Sequence, residues 1–234
     1  MKKKIILKSS ILAVAAGLSV FAINSVFADE LPVQFMGVND FHGALEQTGT
    51  ARLEGETVKN AGTAPLLATY LNDSQKDFET ENAGTPNASI RVQAGDMVGA
   101  SPANSALLQD EPTVKVFNEM NFEYGTLGNH EFDEGLGEFN RIMKGEAPTP
   151  GQFNKIVDEY PHEASKQEVV IANLVDKDTN KIPFDWKPYT IKEIPVNDKT
   201  VKVGFIGVVT TEFPNLVLRK NHEQYRVLDE AESI

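Results

Sequence analysis

Three short polar segments of the chain contain residue types that hold divalent cations. Asp40 and His42 stand two residues apart, Asp96 follows a glycine, and a third segment runs from Asn129 to Asp133. They supply carboxylate oxygens, an amide oxygen and imidazole nitrogens, which are ligands for zinc, manganese, iron or magnesium. The chain has no cysteine, so disulfides, thiolate metal sites and cysteine nucleophiles are excluded.

Each segment taken alone is a weak signal. Asp40 and His42 are expected to leave the same face of a locally extended chain, but a polar loop with a hydrogen-bonded histidine explains them equally well. Asp96 is a candidate bridging ligand because a carboxylate has two oxygens, yet bonding to its own backbone is the commoner use of an aspartate after glycine. Asp133, taken alone, is a candidate helix N-cap because helix-like residues follow it.

Each polar segment is expected at the end of a β-strand. Apolar runs over residues 33–38, 90–94 and 124–127 predict buried strands. In open α/β sheets, functional groups gather in the crevice at the carboxyl ends of the strands. The expected convergence of three segments at this edge favours chemistry over three unrelated polar loops.

The rest of the chain predicts helices and strands in alternation. Apolar residues at helical spacing indicate helices over 64–78, with Thr63 as N-cap, and over 113–120. Further strands are predicted over 168–174, 186–194 and 201–209, the second at a sheet edge because of its prolines. Loops are expected over 47–62 and over 144–165, the latter with one short helix. This alternation predicts a layered α/β fold.

The N-terminus has the pattern of a secretory signal peptide. Four lysines precede an apolar run from Ile11 to Phe27, which predicts cleavage after Ala28. A retained membrane anchor is the alternative, but the run is short and interrupted by polar residues. Cleavage leaves 18 basic and 34 acidic residues, a formal net charge of −16, which argues against binding a nucleic-acid polymer. We therefore expect a secreted or cell-surface protein without a membrane span in its mature part.

Two further histidines lie outside the three segments. His162 is in a proline-flanked stretch and His222 is in a highly charged one. Both are interpreted as solvated surface residues.

The three segments together resemble the signature of the calcineurin-like metallophosphoesterases. The runs from Asn39 to Gly43 and from Gly128 to Asp133 resemble the bacterial 5'-nucleotidase branch specifically. The resemblance implies that residues 29–234 form the N-terminal part of an α/β/β/α sandwich. This sandwich is expected to be incomplete at its C-terminal end and to lack the family's C-terminal nucleotide-binding domain, because later histidine ligands of the family have no counterpart before Ile234.

The resemblance also implies a centre of two divalent metal ions, zinc or manganese first, with magnesium, iron or calcium as alternatives. The implied ligands are Asp40, His42, Asp96 and Asn129. The first two bind one ion, the third bridges both ions, and the fourth binds the other. His130 is not a ligand in this assignment, because it faces the substrate phosphate while Asp133 orients it.

The activity implied by the resemblance is hydrolysis of nucleoside 5'-phosphates by a water molecule that the two metals activate. AMP is the first expected substrate, followed by ADP, ATP and 2',3'-cyclic nucleotides. The expected partner is thus a small nucleotide, and the oligomeric state stays open. Two alternatives are a non-catalytic binding module of the same fold and a thiohydrolase-like member of the superfamily.

Overall fold

Ten β-strands and seven α-helices are found in residues 31–234, the part of the chain that the computed structural model describes. The strands are β1 (Val33–Val38), β2 (Thr48–Leu53), β3 (Glu56–Gly62), β4 (Ala88–Gln93), β5 (Tyr124–Gly125), β6 (Glu168–Val169), β7 (Leu174–Asp176), β8 (Tyr189–Val196), β9 (Lys199–Ile206) and β10 (Tyr225–Val227). The helices are α1 (Ala64–Glu81), α2 (Ala103–Ala106), α3 (Glu111–Glu119), α4 (Leu136–Lys144), α5 (Lys155–Asp158), α6 (Arg219–His222) and α7 (Glu230–Ser233). The predicted signal peptide, residues 1–28, lies outside the described residues.

Four parallel strands form the main sheet, in the spatial order β1, β4, β5, β6. The pairing of β1 with β4 runs from Val33 opposite Ala88 to Val38 opposite Gln93. Because the four strands point the same way, the segments that follow them emerge at one edge of the sheet. The three polar segments are the continuations of β1, β4 and β5, as predicted.

Helices pack on one face of this sheet, and the antiparallel hairpin of β8 and β9 packs on the other. On the helical face, Met36 of β1 joins the core that contains Phe117 of α3. On the opposite face, the ring centroid of Phe205 in β9 lies 6.1 Å from that of Phe35 and 4.3 Å from that of Tyr124. A parallel sheet between helices and a second β-layer confirms the predicted layered α/β fold.

Residues 47–62 form a β-hairpin, so the loop prediction for this stretch was wrong. Strands β2 and β3 pair in antiparallel fashion on either side of the two-residue turn at Glu54 and Gly55. Short runs with threonine and valine around such a turn are typical of a hairpin. The prediction rested on the Gly, Thr and Asn content of this stretch, although threonine is β-branched and favours strands.

The single strand predicted over 168–174 is divided into β6 and β7. Asn173, which is fully buried, interrupts it. Its Nδ2 donates to the carbonyl oxygens of Val209 at 2.7 Å and Leu228 at 3.1 Å, and its Oδ1 accepts from the Val209 N–H at 2.9 Å. These bonds direct the chain away from the parallel sheet, and β7 pairs with β10 instead.

The other predicted elements are confirmed with small changes at their ends. The hydroxyl of Thr63 accepts a hydrogen bond from the Leu66 N–H at 3.4 Å, so Thr63 is the N-cap of α1 as predicted. Strand β8 belongs to a two-stranded sheet and is therefore an edge strand, and α5 is the short helix expected within 144–165. Among the described residues, no helix combines the length and the apolarity needed to cross a membrane.

Candidate metal centre

Backbone hydrogen bonds hold the segment after β1 against the segment after β4. The N–H of Asp40 donates to the carbonyl of Gly95 at 3.2 Å, and the N–H of His42 donates to the carbonyl of Asp96 at 3.0 Å. These bonds continue the parallel pairing beyond the ends of the strands. The two segments are therefore in register before any side-chain contact is considered.

The segments after β4 and β5 approach so closely that only glycine fits at their contact. A Cβ atom added to Gly95 would lie 2.5 Å from the backbone nitrogen of Gly128. A Cβ atom added to Gly128 would lie 2.3 Å from Oδ1 of Asp96. Gly95 also has a φ of +95°, a backbone conformation that glycine adopts without steric cost.

Three side chains from the three segments converge at this edge. His42, Asp96 and His130 each offer a ligand atom, and these atoms all lie within 4.8 Å of one another. Two imidazole nitrogens and a carboxylate oxygen suit zinc or manganese, so the residues present fit a divalent cation. Asp40 stands outside this group: its side chain is 60% exposed, and its Oδ1 is 3.8 Å from Nε2 of His42.

The backbone at three of the four predicted ligands is strained rather than extended. Asp40, His42 and Asp96 have φ values of 51°, 48° and 54°. The expectation of a locally extended chain from Asp40 to His42 was therefore wrong. Residues other than glycine rarely adopt positive φ, although aspartate and histidine tolerate it better than most. Three such residues in adjoining loops indicate that the surrounding structure holds them there, as at many functional sites.

Asp96 bonds across the two loops and not to its own backbone. Its Oδ1 accepts a hydrogen bond from the N–H of His130 at 2.9 Å, so the alternative of an isolated turn aspartate was wrong. Asn129 lies between Gly128 and His130 in the same loop. Within residues 31–234, the side chain of Asn129 forms no hydrogen bond, which leaves its oxygen available to a ligand.

The orientation of His42 is fixed by a backbone carbonyl. Its Nδ1 lies 2.9 Å from the oxygen of Gly99, so Nδ1 carries the proton and Nε2 is left for a metal ion. The N–H of Gly99 donates in turn to Oδ2 of Asp110 at 3.0 Å, and the hydroxyl of Ser105 donates to Oδ1 of Asp110 at 2.6 Å. Asp110 was missed in the sequence because it lies outside every motif, and no local signal marks it.

His130 is oriented by Asp133, as the family resemblance implied. Nδ1 of His130 lies 2.8 Å from Oδ2 of Asp133, which also accepts from the N–H of Ala100 at 3.1 Å. The helix that follows begins at Leu136 with Gly135 as its N-cap. The alternative role of Asp133 as a helix N-cap was therefore wrong.

The pKa of His130 is raised above its ordinary value. Burial alone would lower this pKa, but the hydrogen bond and the negative charge of Asp133 outweigh burial, and the carboxylates of Asp96 and Glu131 add to the effect. These surroundings stabilise the protonated form of His130 more than water does. Glu131 itself is fully buried, and burial raises its pKa to about 7.

Of the other two histidines, His162 is not a solvated surface residue, and His222 is half-buried. The side chain of His162 is 13% exposed, and its Nδ1 lies 2.6 Å from Oε2 of Glu111, whose other oxygen pairs with Arg141 at 2.9 Å. The ring of His222 meets Phe213 with 5.4 Å between centroids. Proline and charged neighbours in the sequence did not reveal these tertiary partners.

No family model matches the chain, but its similarity to individual proteins is clear. It is 53% identical to a cell wall protein of Listeria monocytogenes over 88% of this chain and 25% of that protein. It is 35% identical to the endonuclease YhcR of Bacillus subtilis, over 88% of this chain and 15% of that protein. It is 32% identical to the 2',3'-cyclic-nucleotide 2'-phosphodiesterase/3'-nucleotidase of Salmonella typhimurium, over 52% of this chain and 17% of that protein. The chain thus spans a quarter or less of the length of these relatives.

The fold is also found in solved structures. The calcineurin-like phosphoesterase YfkN of Bacillus subtilis superposes with a TM-score of 0.56 at 24% identity, over 85% of this chain and 55% of that one. At this identity, the comparison establishes a shared fold.

Proposed function

Because this chain belongs to the calcineurin-like metallophosphoesterases, the family that includes the 5'-nucleotidases, we propose that it hydrolyses phosphoric esters of nucleotides. The observation that carries the proposal is the convergence of His42, Asp96 and His130, whose ring nitrogens and carboxylate oxygen lie within 4.8 Å of one another. They come from three loops at the carboxyl edge of a parallel sheet, where α/β enzymes bind their ligands.

The proposed metal ligands are Asp40, His42, Asp96 and Asn129. Two divalent ions, zinc or manganese in the first instance, would polarise the phosphoryl oxygens and increase the acidity of a water molecule. The protein's part is to present the ligands. The carbonyl of Gly99 turns Nε2 of His42 toward the centre, and the bond from the His130 N–H fixes one oxygen of Asp96. Asp40 is exposed at the rim, and the distance of 3.8 Å from its Oδ1 to Nε2 of His42 supports its assignment to the same centre.

The proposed role of His130 is to stabilise charge on the phosphoryl group. Its Nδ1 is engaged by Asp133, which leaves Nε2 to donate a hydrogen bond to a phosphoryl oxygen. Asp133 also favours the cationic form of the ring, and a cation placed before the reaction begins stabilises the negative charge that develops in the transition state. Asp133 acts through His130 and needs no contact with the substrate.

The proposed substrates are nucleoside 5'-phosphates, with nucleoside di- and triphosphates and 2',3'-cyclic nucleotides next. The Salmonella relative is named for cyclic and 3'-nucleotides, which supports small nucleotides as the class. The Bacillus relative is named an endonuclease, but the net charge of −16 that we expect for the mature chain opposes binding of a polyanion. The signal-peptide pattern and the Listeria relative's name as a cell wall protein support a secreted or cell-surface location.

The test measures inorganic phosphate released from AMP and, by chromatography, the products formed from 2',3'-cyclic AMP and an oligonucleotide, because the first cleavage of these two substrates leaves the phosphate esterified. The chain is incubated with Mn²⁺ or Zn²⁺ and with AMP, 2',3'-cyclic AMP or a single-stranded oligonucleotide in separate reactions. We expect phosphate from AMP with either metal and no cleavage of the oligonucleotide. Asp96→Asn removes the proposed bridging carboxylate at nearly constant volume and should abolish release. Equal activity of Asp96→Asn and the unchanged chain would contradict the proposal.

Two further outcomes would select the alternatives. Metal binding without turnover of any nucleotide would favour a non-catalytic binding module of the same fold, or a centre without the family's later histidine ligands. Turnover of thiosulfate-type esters, with nucleotides untouched, would favour a thiohydrolase. Running the sulfur substrates beside AMP under the same metal conditions separates these outcomes in one experiment.

A further inference from the structure

Glu131 lies inside the protein beneath the loops that carry Asp96 and Asn129. Its residue exposure is 2%, and its carboxylate accepts three hydrogen bonds, all from backbone N–H groups. Oε2 accepts from Asp96 at 2.9 Å and from Gly128 at 2.6 Å, and Oε1 accepts from Met97 at 2.8 Å. Both oxygens of this side chain are therefore used by the backbone of the proposed metal centre.

These bonds connect two separate loops. Asp96 and Met97 belong to the loop after β4, whereas Gly128 belongs to the loop after β5. A bond in the opposite direction joins the His130 N–H to the carboxylate of Asp96 at 2.9 Å. A side chain from each loop thus binds the backbone of the other loop, and the two ligand-bearing segments are fixed relative to each other.

A buried carboxylate at this position is costly, which indicates that it is needed. Within residues 31–234, no Lys or Arg forms an ion pair with Glu131, and its carboxyl group is bound by backbone N–H groups. Removing a charge from water without a cationic partner has a large free-energy cost. An apolar side chain of the same shape would avoid this cost but would leave three N–H groups without an acceptor.

We propose that Glu131 is a positioning residue that holds the loops of Asp96 and Asn129 in the geometry required for metal binding. This inference rests on the proposed metal centre. Glu131 contacts neither substrate nor metal in this arrangement. It acts through the backbone of Asp96 and Gly128, and its loss lets the two loops separate.

The test is the Mn²⁺ affinity of Glu131→Gln, measured by titration calorimetry. Glutamine keeps the shape, but one of its two terminal atoms is a donor, so at least one N–H group of the loops loses its acceptor. We expect Mn²⁺ binding to weaken by about tenfold or more, the size typical of losing a residue that orients metal ligands. In the metal-free protein, amide exchange at Asp96, Met97 and Gly128 should become faster.

The matched control is Glu111→Gln. Glu111 is a carboxylate buried to a similar degree, with 3% exposure, but its partners are His162 and Arg141 and not the loops of the centre. This variant should lower the free energy of unfolding and leave the Mn²⁺ affinity unchanged. Its comparison with Glu131→Gln separates loss of positioning from loss of stability.

The outcomes are distinct. A loss of affinity confined to Glu131→Gln, with faster exchange at the three amides, supports the positioning role. Unchanged affinity in Glu131→Gln, or equal losses in both variants, overturns it. If the unchanged chain binds no Mn²⁺, the proposed function fails, and the exchange measurement alone then decides whether Glu131 holds the loops together.

Discussion

The imidazole rings of His42 and His130 meet edge to face, with 4.7 Å between their centroids and 86° between their planes. Nδ1 of each ring has a different hydrogen-bond acceptor, which is the carbonyl of Gly99 for His42 and the carboxylate of Asp133 for His130. Gly99 is followed by Ala100, whose N–H donates to the same carboxylate. A single stretch of backbone therefore sets the orientation of both histidines.

The first prediction concerns the role of His130. His130→Ala should abolish phosphate release from AMP and leave the Mn²⁺ affinity unchanged, because the proposed role of this ring is toward the phosphate. Asp96→Asn, measured in parallel by calorimetry, should lose both. If His130→Ala weakens Mn²⁺ binding as much as Asp96→Asn does, His130 is itself a metal ligand. His130 lies close enough to His42 and Asp96 to bind the same metal ion, so the experiment discriminates between the two roles of His130.

The second prediction concerns the contact between the loops after β4 and β5. Gly128→Ala places a methyl group 2.3 Å from Oδ1 of Asp96, a distance at which one of the two must move. We expect Mn²⁺ binding to weaken by at least about tenfold. Loss of a residue that only orients metal ligands already reduces metal affinity by this factor, and Gly128→Ala displaces the proposed ligand Asp96 itself. The control is Gly137→Ala, because a Cβ atom at Gly137 meets nothing within 4 Å and alanine favours the helix by roughly 0.5–1 kcal/mol. Equal Mn²⁺ affinities in the two variants would count against the packing argument.

The sequence predicted the parallel strands and the polar segments well because each signal is local. A buried strand is a short apolar run, and the ligand-type residues follow it directly, as Asp40 follows β1 and Asp96 follows β4. The hairpin of β2 and β3 was missed because exposed strands lack an apolar run. The division of 168–174 depends on the contacts of Asn173 with Val209 and Leu228, and no local pattern contains them.

The same limit applies to the candidate site. The family resemblance assigned ligands, but the backbone conformation at Asp40 and His42 was predicted incorrectly because it depends on pairing with the loop after β4. Glu131 was part of a recognised motif, yet its partners Asp96 and Met97 are distant in sequence. Residues that support a site through backbone contacts are thus the hardest to identify from sequence.

The third prediction concerns the buried ion cluster around Arg141. This guanidinium binds Glu138 at 2.7 Å and Glu111 at 2.9 Å, and the side-chain exposures of the three residues are 9% or less. Arg141→Ala takes the guanidinium away from two buried carboxylates, although Glu111 keeps His162 as a partner. This loss should cost about 3–5 kcal/mol of unfolding free energy. Urea denaturation gives this value directly.

The control for this cluster is an exposed ion pair of the same charge type. Lys155 pairs with Glu159 at 3.4 Å, but the two side chains are 82% and 67% exposed. Lys155→Ala should change the unfolding free energy by less than about 0.5 kcal/mol, as for other pairs four residues apart on a helix. A cost for Arg141→Ala as small as that for Lys155→Ala would show that the cluster is solvated in solution.

The fourth prediction concerns the protonation of His130. Burial would lower the pKa of this ring, but the hydrogen bond and charge of Asp133 raise it above its ordinary value. Asp133→Asn keeps the shape and removes the charge, so the pKa of His130 should fall. An NMR titration of the imidazole in the metal-free protein measures the change without interference from bound cations.

The sign of the accompanying stability change follows from linkage. The pKa of His130 is higher in the folded than in the unfolded chain. The contact with Asp133 therefore stabilises the fold fully at a pH below the pKa of the unfolded chain. This contribution disappears as the pH rises through the pKa of the folded chain. Asp133→Asn should therefore reduce the unfolding free energy more at pH 5 than at pH 9. A loss of equal size at both pH values would mean that Asp133 acts only through its bond to the Ala100 N–H, and the proposed cationic role of His130 would then lose its physical basis.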